Sequence, residues 1–473
     1  MIERCSNCLE KVLFSSSVCP NCGADQTTVS TNIPGQPPRP ITAPATQKDA
    51  KKANSWLGVV LVSLVIFSFF ANWILVTKGG SIDYRNRVTG ARLLVSGNDP
   101  YHYKWQYGQP DRWCDIYDNP ALPITKTTVS PTMLLVSAPL AMLPYPSSQR
   151  LWLVGQWALL AGIWFMWWRH WRHSRTTKWW WTALVVAFTY TLAWHHHIDR
   201  GQAYVLLTFL LGLWMQLSLS NHPKQGWFCG LVAGLLICLR PPLLLVIAPF
   251  VLVRRRNQWL GAVIGLALGL AAPILFRSSV WSDYAKAMNT WSEVYRTDHQ
   301  PRPGARAFPP EIEGMSLDRL AAYKVPQYAD SSLFRIFRVW GVSPIPAHWV
   351  LAMLIIPFAF WAWCGRGSPD SSLMLGLAAW AFLSDAFLPA YRNPYNDIMI
   401  LNVVALMPML GGLERSSRVL VIIALGLGVL MTNIHPPNRW WIYLPTLVIV
   451  CVALLSVWHS TRPAAVNPLP QDR

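Results

Sequence analysis

A succession of long apolar runs, broken by short polar segments, sets the limits on what this chain can fold into. Of its 473 residues, 53% are hydrophobic and only 13% are charged. A soluble protein of this size could not hide so much apolar surface behind so little charge. Runs of roughly 18 or more apolar residues match the thickness of a bilayer core. In lipid, a helix satisfies its own backbone hydrogen bonds. The chain is therefore expected to be an all-α polytopic membrane protein. About twelve spans are expected, near 55–77, 149–168, 179–194, 202–219, 227–239, 242–253, 258–276, 347–364, 372–389, 396–413, 417–433 and 440–458. The fifth and sixth are short and meet at Leu239-Arg240-Pro241-Pro242. Such a break is tolerated where helices line a cavity rather than face lipid.

One further run, 130–144, is not counted as a span. At 1.5 Å per residue it covers about 22 Å, short of the roughly 30 Å of a bilayer core. It also carries Pro131, Pro139 and Pro144, so an interfacial or re-entrant helix is expected. Charge bias agrees with that choice. Arg169, Arg172, Arg175, Lys178 and the run Arg254-Arg255-Arg256 then fall on the cytoplasmic side, with Lys224, Arg366, Arg415 and Arg418. Only Arg200, Arg240, Arg392 and Arg439 fall in the short loops opposite. Both termini are then cytoplasmic, and the long loops 78–148 and 277–346 form a cap on the outer face.

Ahead of the first span lie two small segments. Residues 1–26 hold Cys5, Cys8, Cys19 and Cys22 as C-x2-C-x10-C-x2-C, the spacing of a zinc ribbon. Four thiolates fill a tetrahedral zinc site and leave no open position, so the metal would be structural. A cytoplasmic protein partner is a natural use for such a module. Residues 27–54 are rich in Pro, Thr, Ala and Lys and read as a flexible linker. The domain of membrane helices runs over 55–458, and 459–473 form a cytoplasmic tail. Net charge is +18, but the basic residues are scattered over loops. That pattern suits anionic membrane lipids, and no nucleic acid partner is expected.

The residues with chemistry cluster after the first span. Asp83 sits near the boundary of water and lipid, where a carboxylate is costly and usually kept for a reason. Asp is also common at helix N-caps, and a helix is expected to begin near Tyr84. Gly97-Asn98-Asp99-Pro100-Tyr101 reads as a turn, with Asp99 shaping it. Arg240, at the apex of the broken pair, would either hold an anion or snorkel to head groups. The stretch His195-His196-His197-Ile198-Asp199-Arg200-Gly201-Gln202 falls in a short loop; three adjacent histidines cannot all point at one metal.

In order and spacing, these pieces resemble the polyprenol-phosphate-dependent glycosyltransferases of the GT-C fold, most closely glycosyltransferase family 87, the bacterial mannosyltransferase-like group. The pieces are Asp83, Gly97 to Tyr101, Ser130-Pro131 with Ala138-Pro139-Leu140, Gly201-Gln202, Arg240-Pro241-Pro242, and Ser331-Ser332-Leu333 with Arg335. The likeness runs over about 55–455. The chain departs from the family pattern at Ala203, where Asn is common, and at Arg240, where Lys is common. The zinc module lies outside the family core.

The resemblance implies a GT-C membrane domain and an inverting transfer of a sugar, such as mannose, from a polyprenyl-phosphate donor to a lipid or glycan acceptor. It maps the family's general base onto Asp83 and implies no essential catalytic metal. Arg240 is the candidate for the donor phosphate. Asp199, Gln202, Tyr101 and His196 are the candidate substrate contacts. Two other readings stay open at this point. One is a transporter or flippase for lipid-linked sugars, although only one helix interruption and no internal repeat are visible. The other is a non-catalytic receptor that uses its zinc ribbon to recruit a partner.

Overall fold

The computed structural model describes residues 2–4, 11–13, 47–78, 81–171, 174–219, 225–254, 256–297, 311–313, 315–316, 341, 347–364, 369–387, 394–409, 414–433 and 444–461. Its helices are α1 (Gln47–Thr77), α2 (Ile82–Val95), α3 (Pro131–Ala141), α4 (Tyr145–His170), α5 (Arg175–Phe188), α6 (Leu192–Arg200), α7 (Tyr204–Leu219) and α8 (Gln225–Leu239). They continue as α9 (Leu244–Arg254), α10 (Arg256–Ile274), α11 (Val280–Thr297), α12 (Ala347–Cys364), α13 (Asp370–Phe387), α14 (Ile400–Leu406), α15 (Glu414–Asn433) and α16 (Leu444–Thr461). The strands are short: β1 (Ile2–Arg4) pairs antiparallel with β2 (Lys11–Leu13), and β3 (Glu311–Ile312) with β4 (Met315–Ser316). Cys5, Cys8, Cys19 and Cys22 lie outside the described residues, as do Ser331-Ser332-Leu333 and Arg335.

Most of the helices are apolar, as expected, while α2, α6 and α11 carry many polar residues. Among the described residues, Trp56–Thr77 and Tyr145–His170 are long and apolar enough to cross a membrane alone. A third crossing is possible if α6 and α7 count as one span bent by 117°. Other apolar segments, including Gln225–Leu239 and Gln258–Ile274, run for 10–17 residues. The expected span 179–194 is interrupted, because α5 ends at Phe188 and α6 starts at Leu192. Thr191 caps the new helix, its side chain accepting from the Trp194 amide. The loop expected around His195 to Gln202 is therefore mostly helix. The 396–413 region splits into a 3-10 turn at Pro394–Met399, the short α14 and a second 3-10 turn.

The run at 130–144 forms α3, capped by the Ser130 side chain. Its 11 residues reach only about 16 Å. It packs on α2 and on α10, where the Thr132 hydroxyl donates to the Gly269 carbonyl at 2.7 Å.

One large apolar core joins α4 to α9 with α13 to α16. A second core, under the first long loop, joins Tyr84, Val88 and Leu94 of α2 to Leu134 of α3 and Trp291 of α11. Among the described residues, α8 and α10 form the most extensive helix pair. A Cβ on Gly234 would stand 2.3 Å from the Ala262 carbonyl, and one on Gly265 would stand 2.3 Å from the Leu231 carbonyl. Small residues every fourth position let the two backbones touch, the usual basis of close helix packing in lipid.

Candidate active site

The site is built at the start of α2. Asp83 is the second residue of that helix, and Ser81, in left-handed geometry, occupies the N-cap without a side-chain bond. The expected capping role for Asp83 is thus corrected: its carboxylate lies in the first turn and points elsewhere. About a quarter of its side chain is exposed (26%).

The turn between α6 and α7 brings the partner residues. Gly201 closes α6 at φ 66°, ψ 41°. A Cβ there would meet Tyr84 Cβ at 2.6 Å and Ser81 Cβ at 3.0 Å, so only glycine lets this turn press on the start of α2. The Ser81 amide donates to the Asp199 carbonyl, which ties the two segments through the main chain. The Gly201 carbonyl accepts from Trp152 Nε1 at 3.1 Å, and the Gln202 carbonyl from Gln156 Nε2 at 2.7 Å. Gln156 is itself bonded to the buried His197 at 2.8 Å.

With its backbone fixed this way, Gln202 turns its amide to Asp83. Nε2 donates to Asp83 Oδ2 and, at 3.2 Å, to the Tyr395 hydroxyl. Asp83 Oδ1 lies 3.9 Å from Arg200 Nη1. Arg87, one turn along α2 from Asp83, donates to the Gly201 carbonyl at 3.3 Å and to Gln202 Oε1 at 3.5 Å. Its side chain is 1% exposed and lies 5.3 Å from the Trp152 ring. Burial lowers the guanidinium pKa from its ordinary value, against the opposing pull of Tyr84 and Asp83.

Beyond Tyr395 the same line of contacts continues. The Tyr395 and Tyr204 rings are 5.2 Å apart, and Arg240 Nη1 donates to the Tyr204 hydroxyl at 2.6 Å. The Arg240 guanidinium also rests 4.7 Å from the centre of that ring. A chain of side chains therefore joins the carboxylate of Asp83 to the cation of Arg240.

Tyr101 is not part of this line. It is wholly buried, its hydroxyl donating to the Val129 carbonyl at 2.9 Å, and it packs on Tyr284. With no surface to offer, it has a packing role rather than the expected substrate contact. Asp99 shapes its turn, accepting from the Tyr101 amide at 2.8 Å and the His102 amide at 3.2 Å. His196 and Asp199 are half-buried on α6. Among the described residues, no group of three or more His, Cys, Asp or Glu side chains is placed to hold a metal.

Sequence reasoning missed Arg87, Tyr204 and Tyr395. Arg87 had a signal: it lies four residues after Asp83, on the same helix face. Tyr204 follows Gln202 by two. Tyr395 had none, because only the tertiary fold brings the turn 394–399 to Gln202.

The candidate site thus sets a part-exposed carboxylate against an arginine-bearing turn, in a set of packed helices of which two are long and apolar enough to cross a membrane. The chain matches glycosyltransferase family 87 over residues 128–389, more than half its length. It belongs to that family and is a membrane glycosyltransferase, acting on a sugar donor and an acceptor. The matched region holds Gln202, Tyr204 and Arg240, while Asp83 and Tyr395 fall outside it. No curated protein and no solved structure matches the chain.

Proposed function

We propose that the chain transfers a sugar, with mannose the first to test, from a polyprenyl-phosphate donor to a lipid or glycan acceptor. The reaction would occur on the outer face of the cytoplasmic membrane, with Asp83 as general base. The carrying observation is the placement of Asp83. It is a part-exposed carboxylate just past a membrane helix, hydrogen-bonded by Gln202 and joined by side chains to Arg240.

In the reaction, the acceptor hydroxyl oxygen attacks the anomeric carbon. The bond from that carbon to the phosphate oxygen breaks, and its electron pair leaves with the lipid phosphate. Asp83 takes the hydroxyl proton. Arg240 and Arg200 offer positive charge to the departing phosphate, where its charge develops. Asp199 and His196, on the neighbouring α6, would contact the substrate. The four cysteines at the N-terminus would hold a structural zinc, and the ribbon would bind a cytoplasmic protein.

The test uses purified protein in liposomes with labelled polyprenyl-phosphate mannose and a membrane-lipid acceptor extract. The parent transfers label covalently to the acceptor, and Asp83→Asn does not. Transfer by a folded Asp83→Asn protein at the parent rate would remove Asp83 from the role. Movement of the donor across the bilayer without covalent transfer would favour a flippase.

A further inference from the structure

We infer that Arg87, acting through Gln202, is the positioning residue that aims Asp83. This rests on the reading of Asp83 as the base. A guanidinium has only donors, so it needs the oxygen end of the Gln202 amide opposite it. With Oε1 held by Arg87, both N–H groups of the amide must face the other way. They find the Asp83 carboxylate and the Tyr395 hydroxyl. The amide is thus used at both ends, and the opposite orientation would set N–H against guanidinium. Asp83 Oδ2 is engaged by Gln202, while Oδ1 lies 3.9 Å from Arg200 Nη1.

Arg87 is otherwise hard to account for. It is buried on α2, yet among the described residues no carboxylate lies in salt-bridge contact with it, and its Nε has no hydrogen-bond partner. The other two buried arginines of that helix, Arg85 and Arg92, both bond Glu313. A buried cation without a contacting counter-ion is expensive unless it organises something else. Here its two hydrogen bonds both go to the Gly201-Gln202 turn.

The experiment measures kcat and KM for donor and acceptor with full-length protein in liposomes. The variants are Arg87→Met, Arg87→Lys, Gln202→Met and the double Arg87→Met/Gln202→Met. A monodisperse elution profile serves as the check on folding. A positioning role predicts that Arg87→Met and Gln202→Met each lower kcat by about 10- to 100-fold, the range for a misplaced reacting group. Both KM values stay within about threefold. The double variant is no worse than the poorer single one, because the two residues act in series. Arg87→Lys, which keeps a donor for Gln202 Oε1, retains more turnover than Arg87→Met.

Parent-like kcat in Arg87→Met, a loss confined to KM, or fully additive losses would each overturn the inference. If Arg87→Met does not fold, Gln202→Met and Arg87→Lys decide: parent-like kcat in both overturns it, and reduced kcat at constant KM supports it. Asp83→Asn is run alongside. If that variant is active, the base reading fails. If it is inactive while the Arg87 variants behave as the parent, only the positioning inference fails.

Discussion

Replacing Gly201 by alanine adds one methyl group at the point where α6 presses on α2. That carbon would stand 2.6 Å from Tyr84 Cβ and 3.0 Å from Ser81 Cβ, whereas ordinary contact begins near 3.4 Å. The two segments must part by roughly 1 Å, a misplacement that can cost on the order of 100-fold in rate at a reacting group. Both neighbours of the new methyl lie within two residues of Asp83, and Gln202 follows Gly201 directly, so the movement falls on the hydrogen bond between them. The left-handed backbone adds about 1 kcal/mol for a residue with a Cβ, and overpacking about 1–3 kcal/mol. Gly201→Ala should therefore be about 2–4 kcal/mol less stable and turn over about 100-fold more slowly. Label transfer in liposomes and thermal melting of the purified protein measure the two effects. Gly155→Ala, inside α4, is the control: nothing lies within 4 Å of its new Cβ, so it should turn over as the parent does and melt no lower. Parent-like turnover in Gly201→Ala would refute the close approach and the coupling drawn from it.

Two further outcomes concern the long loops, where charge is buried. Asp115 has its carboxyl raised to about 6, by burial first and then by the charge of Asp118. Its folded pKa lies above the ordinary value, so its contribution to stability is full in acid, below about pH 4, and lost as pH rises through 6. Asp115→Asn should leave melting near pH 4 unchanged and stabilise the protein near pH 8 by up to about 3 kcal/mol. Glu313 is the opposite case. Burial works against its carboxylate, but Arg85 and Arg92 more than offset this and hold the carboxyl below the ordinary glutamate range. Its contribution is present above that range and fades only as pH falls through the lower folded value. Glu313→Gln leaves the buried Arg85 without its charged partner, and should lower stability by about 3–5 kcal/mol. Melting at neutral pH checks the loss.

The contrast between Asp83 and Tyr101 shows what was legible in advance. Asp83 stood out because a carboxylate beside an apolar helix is rare, and composition alone makes it conspicuous. Tyr101 sat in a motif of the same apparent weight, yet its side chain is sealed in the core beneath the loop. A motif records spacing along the chain, and burial depends on what packs against it. The glycines of α8 and α10 were visible at four-residue intervals, but only the packed pair shows which helices they join.

The sequence by itself determined the class of fold and the reaction class. Long apolar runs leave helices as the economical way to satisfy a backbone in lipid, and the ordered motifs of the family survive as local chemistry. It also located Asp83, Gln202 and Arg240 as residues of interest. The tertiary structure decided where helices end and which side chains meet. Thr191 restarts a helix inside an expected span, and prolines and glycines shorten others, because packing partners can satisfy a broken backbone. It also decided that Gln202 bonds Asp83, that Arg87 orients Gln202 and that Tyr395 completes the line. Those contacts join residues more than a hundred positions apart, and no periodicity along the chain encodes them.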